Sequence, residues 1–95
     1  MYQVVFTPAA ANQYAEVEDR WSEAPKRLAT FRQEIDAVVD RLQNMPESYP
    51  PKGNMRAARL AKSLYYLFYR IEDANQRVVV VMLIHQRQDP ANWPG

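Results

Sequence analysis

Apolar residues fall along this chain in two rhythms, and the change of rhythm divides it into a helical first half and a stranded second half. The opening run Tyr2-Gln3-Val4-Val5-Phe6 is short and β-rich. It ends at Thr7-Pro8, a hydroxyl suited to cap a helix and a proline suited to its first position, where the missing N–H costs nothing. From Pro8 to about Glu23, Ala10, Tyr14, Val17 and Trp21 recur at steps of three and four and form one helical stripe. Ser22-Glu23-Ala24-Pro25 breaks the pattern, and a second helix is predicted from Pro25 to about Asn44. Its stripe, Leu28, Phe31, Ile35, Val38, Leu42 and Met45, could pair in a coiled coil. Beside a strand-rich half, a helix packed on a sheet is the better reading.

Pro46 to Asn54 holds three prolines and Gly53, so it is a loop. Three extended runs follow, Met55 to Leu60, Leu64 to Ile71 and Arg77 to His85, with Glu72 to Gln76 as a hairpin turn. The last run is apolar without interruption from Val78 to Ile84, which predicts a central strand covered on both faces. Alternation on the middle run sends Tyr65, Leu67, Tyr69 and Ile71 to one face and Leu64, Tyr66, Phe68 and Arg70 to the other. With the first set as core, Tyr66 and Phe68 are expected to form an apolar patch that a partner covers. The predicted fold class is α+β: one domain over residues 1–95, ordered β-α-α-β-β-β, with a helical hairpin on one face of a small, mostly antiparallel sheet. In the C-terminal tail, Trp93 is expected to dock on the body or on a partner, since an indole is seldom left in water.

Composition narrows the chemistry. There is no cysteine and one histidine, so thiol chemistry and disulfides are excluded, and without HExxH-type spacing no metal is expected. Two glycines rule out a phosphate-cradling loop, and no cofactor is expected. No run is long and apolar enough for a membrane span, nor does the N-terminus look like a signal peptide, so a soluble, cytoplasmic protein is expected. Charge is polarised. Residues 1–45 carry five basic and seven acidic side chains, residues 46–95 seven and four. The basic set of the second half suits an anionic partner or a solvated face. Arg59 and Arg87 are favoured for contact because they flank the expected patch, whereas Arg56 falls on the opposite face of its strand from Arg59. His85, next to Arg87 at the end of the last strand, suits either a general base for phosphodiester cleavage or a strand-end anchor that bonds backbone.

Taken in order, Phe6-Thr7-Pro8-Ala9-Ala10, the helix with Trp21, Pro25, Phe31-Arg32-Gln33-Glu34-Ile35, Met45-Pro46-Glu47 and Arg56 form a recognisable series. Tyr65-Tyr66-Leu67-Phe68-Tyr69-Arg70 and His85-Gln86-Arg87-Gln88-Asp89-Pro90 with Trp93 complete it. Over nearly its whole length the chain resembles the ParE/RelE superfamily of toxins from type II toxin–antitoxin systems, and the closing motif leans to the ParE, or plasmid-stabilisation, branch. The resemblance implies the same fold and a ParD-like antitoxin that wraps the toxin, here over Tyr66 and Phe68. It also implies a target: DNA gyrase, poisoned without a known active site, for ParE-like members, or mRNA cut on the ribosome for RelE-like ones. Arg59, Arg87 and Trp93 are then the expected target contacts, and under the endoribonuclease alternative Arg59, His85 and Arg87 are catalytic. The nuclease branch has an arginine where this chain has Tyr66 and a tyrosine where it has Trp93. A phenol cannot make a guanidinium's bidentate phosphate contact, and an indole has no acidic hydroxyl. A member that has lost toxicity and survives as a partner-binding domain is the third alternative.

Overall fold

A computed structural model describes residues 1–87, so Trp93 and its expected docking lie outside the described residues. Strand β1 (Gln3–Phe6) leads directly into helix α1 (Pro8–Arg20), and a short link leads to α2 (Pro25–Asn44). Strands β2 (Pro51–Lys52), β3 (Met55–Leu60), β4 (Tyr65–Glu72) and β5 (Arg77–His85) follow. The sheet order is β1-β5-β4-β3-β2, with β1 parallel to β5 and the other pairs antiparallel. The helical hairpin, the mixed sheet and the order of elements agree with the expected fold class. Three local expectations are corrected. The middle strand is β4 rather than β5, the proline loop contributes the two-residue edge strand β2, and α1 stops at Arg20.

Proline and threonine set the helix starts as predicted. Thr7 Oγ1 accepts the Ala10 N–H at 3.1 Å and caps α1, while Pro25 opens α2. Phe31, Ile35, Val38 and Leu42 of α2 are buried against Leu60, Tyr65, Leu67, Tyr69, Val78 and Val80 of the sheet. Met45 is the exception in the stripe. It follows the last helical residue as the C-cap and is 55% exposed.

One irregularity sets the phase of β5. Phe68 pairs with Met82 but Tyr69 pairs with Val80, so Val81 is an extra residue, a β-bulge. Val78, Val80 and Leu83 face the helices, and Met82 and Ile84 face the other way. Because β1 covers β5 only up to Val80, the exposed backbone beyond needs other partners. Thr7 supplies its N–H to the Val80 carbonyl at 3.0 Å and its hydroxyl to the Val81 carbonyl at 3.0 Å. Gln13 Oε1 of α1 accepts the Leu83 N–H at 2.8 Å.

The proline loop is held by side chains. The Tyr69 hydroxyl donates to the Pro46 carbonyl at 2.5 Å, and Arg56 Nη1 donates to the carbonyls of Tyr49, at 2.7 Å, and Glu47, at 3.2 Å. Burial pushes the Tyr69 phenol up to about 12. Arg56 is therefore a loop clamp.

The doubly used Thr7 hydroxyl gives a prediction. Thr7→Val keeps the shape but removes the helix cap and orphans the Val81 carbonyl, and is expected to cost about 2 kcal/mol by urea unfolding. Thr7→Ser keeps the oxygen and should lose less than half of that.

Candidate functional site: a basic groove at the open end of the sheet

Past the bulge, alternation carries His85 to the helix side of the sheet. Its ring meets the Tyr65 ring edge-on, with centroids 5.0 Å apart. Tyr65 belongs to an aromatic cluster with Trp21 and Phe31, at 6.0 and 5.7 Å, and its hydroxyl accepts Arg20 Nη1 at 2.7 Å. His85 Nδ1 accepts the Arg87 backbone N–H at 3.1 Å, which puts the proton of the neutral ring on Nε2. Burial, then the positive charges of Arg87 and Arg20, hold its pKa below the ordinary 6.5.

The β3–β4 turn forms the opposite wall. Leu64 adopts a left-handed conformation, φ 64°, so it lies outside the strand that the sequence assigned it to, and it is 37% exposed. Glu34 of α2 clamps this turn: its carboxylate accepts the Lys62 N–H at 3.0 Å, the Ser63 N–H at 2.9 Å and the Ser63 hydroxyl at 2.6 Å. The Gln86 N–H donates to the Leu64 carbonyl at 2.8 Å and ties the end of β5 to the same turn. Between turn, strand end and the start of α2 lies a groove of about 290 Å³ whose polar walls are Arg27, Lys62, Ser63, His85 and Arg87. An adjoining hollow of about 200 Å³ shares His85 and adds Arg20 and Glu16.

The sequence-predicted site residues divide between two surfaces. His85 and Arg87 share the groove. Arg59 pairs with Tyr66 and lies on the far face, with Met55 and Ala57, so His85 and Arg59 sit on opposite sides of the sheet. Tyr66 is half-buried on that far face and its ring lies 6.2 Å from Phe68. The expectation of a bare Tyr66–Phe68 patch is corrected, because Phe68 is 0% exposed and forms a second small core with Ala57 and Ile84. Arg20, Arg27 and Trp21 were not singled out as site residues from sequence. A signal was present in Lys26-Arg27, two cations in the first turn of a helix, where acids are preferred. Among the described residues, no three His, Asp or Glu side chains are placed to hold a metal, and no helix is long and apolar enough to cross a membrane.

The family model described as the ParE toxin of type II toxin–antitoxin systems, parDE, matches residues 4–90. No curated protein sequence matches the chain. Among solved structures, the isolated RelE toxin of E. coli superposes with a TM-score of 0.72 at 17% identity, covering 96% of this chain and 90% of that one. A chain of the chromosomal ParDE system of P. aeruginosa gives 0.71 at 16%, covering 90% and 96%. A chain of the intact RelBE toxin–antitoxin complex of E. coli gives 0.70 at 15%, covering 93% and 100%. At these identities the likeness is one of fold.

As the only histidine, His85 gives a single imidazole signal. Its NMR titration midpoint is expected below 6.5, and Arg87→Gln should raise it by removing a nearby positive charge. Because the folded pKa is depressed, the stability His85 contributes is present above pH 6.5 and is lost as pH falls through the folded midpoint. A midpoint at or above 6.5 would contradict the packing described.

Proposed function

This chain belongs to the ParE toxin family of type II toxin–antitoxin systems, and we propose that it acts by binding: a cytoplasmic toxin that stabilises the DNA gyrase cleavage intermediate and is neutralised by a ParD-like antitoxin. The observation that carries this reading over nuclease action is the division of the polar residues. An endoribonuclease built from Arg59, His85 and Arg87 needs them around one phosphate, and Arg59 lies across the sheet from His85. Tyr66, where the resemblance places a nuclease arginine, is a phenol packed beside Phe68. Arg59, Arg87 and Trp93 remain the proposed target contacts.

The second reading is a ribosome-dependent endoribonuclease. What favours it is the neutral imidazole of His85 beside Arg87 inside a basic groove, a pairing that suits a general base next to a phosphate-holding cation. The third, a non-toxic partner-binding homologue, is separated from both by inducing the chain alone in bacteria.

For the antitoxin, Tyr66 is the proposed anchor on the far face, with Met55 and Met82 beside it and Phe68 beneath as support. Aromatic and methionine side chains around a half-buried tyrosine give a polarizable surface that an apolar segment can cover.

Purified protein at micromolar concentration is expected to accumulate gyrase-cleaved plasmid and to leave mRNA intact on translating ribosomes in a toeprint assay. Cleaved mRNA with unaffected gyrase would reverse the order of the two readings. Tyr66→Asp is expected to weaken antitoxin binding by tenfold or more, about 1.4 kcal/mol, while the circular dichroism melt stays that of a folded domain. Unchanged affinity would move the antitoxin elsewhere.

A further inference from the structure

The groove beside His85 gathers three cations, Arg27, Lys62 and Arg87. Arg27 lies over the Trp21 ring, its guanidinium carbon 5.5 Å from the ring centroid. A guanidinium held over a ring keeps the N–H donors that point away from it for contact with an anion. Ion pairs on the described residues join Arg32 to Glu18 and both Arg70 and Arg77 to Glu72. Arg27, Lys62 and Arg87 take part in none of them.

Local electrostatics point the same way. Arg27 sits in the first turn of α2, where no acidic residue is present and the N-cap, Ala24, offers no side-chain acceptor. A cation there opposes the helix dipole, and an anion in the groove would relieve that repulsion. Glu34, the acid behind the groove, is engaged by the three donors of the β3–β4 turn. Glu16 lies in the adjoining hollow with Arg20.

Three cations, Arg27, Lys62 and Arg87, line the first groove, more charge than one small anion balances, whereas Arg20 in the adjoining hollow is matched by Glu16 and bonded to Tyr65. A chain of anions fits better, and a strand of nucleic acid carries a charge roughly every 3.4 Å. We propose that this groove is a phosphodiester-binding site that takes a nucleic-acid strand by its backbone, with Arg27, Lys62 and Arg87 as the contacting cations, on the opposite side of the sheet from Arg59. This site does not depend on which target the toxin poisons, since it is read without gyrase or ribosomes.

The test is fluorescence anisotropy of the full chain with a labelled single-stranded DNA of about 20 nucleotides between 50 and 200 mM salt, with RNA and duplex DNA of equal length in parallel. The double variant Arg27→Ala/Lys62→Ala is expected to bind at least tenfold more weakly and to lose about 1.4 from the slope of log affinity against log salt, at roughly 0.7 per phosphate contact. Lys26→Ala, in the same helical turn but outside the groove lining, should bind as the parent does, and thermal melts should show all variants folded. Parent-like affinity and slope in the double variant would overturn the proposal. So would displacement of the oligonucleotide by polyglutamate as readily as by unlabelled DNA, which would assign the groove to an acidic protein segment.

Discussion

A single threonine hydroxyl fixes the relation between the helical hairpin and the longest strand. Thr7 accepts from the first turn of α1 and donates to the carbonyl of the bulged Val81, so the start of the helix and the phase change in β5 are one feature. An unbulged β5 would send Met82 and Ile84 to the same face as Val80. Leu83 would leave the core and His85 would leave Tyr65. Both surfaces of the sheet therefore depend on the carbonyl that Thr7 satisfies.

The two surfaces are unequal in consequence. On the helix side, α2 and the aromatic cluster of Trp21, Phe31 and Tyr65 fill the space, and a polar groove opens where β5 and the β3–β4 turn leave the sheet. Opposite, a small core of Ala57, Phe68 and Ile84 is bordered by partly exposed Met55, Tyr66 and Met82. One side offers charge in a hollow, the other a small apolar surface with Arg59 beside Tyr66. The sheet thus presents two surfaces of different chemistry.

Most of the fold was legible because the relevant signals are local. Thr7-Pro8 and Pro25 mark helix starts by backbone chemistry, and the three- and four-residue stripe of α2 needs no tertiary knowledge. The bulge was not legible, since Val78 to Ile84 contains no polar residue whose face would betray the phase. Phe68 was misjudged for a related reason: alternation tells which side a residue takes but not whether that side is closed. At the site, His85 and Arg87 are close in sequence and were found together. Arg59 was grouped with them wrongly because the face of His85 follows from the bulge. Arg27 and Lys62 meet only through the fold.

Glu34 lies seven residues, two helical turns, after Arg27 on the same α2, and its carboxylate grips the turn that carries Lys62. One rigid rod thus acts as the ruler between two cations that belong to different elements. The backbones of Arg27 and Lys62 are thereby held at a set spacing, so a guest in the groove would have only their side chains left to order.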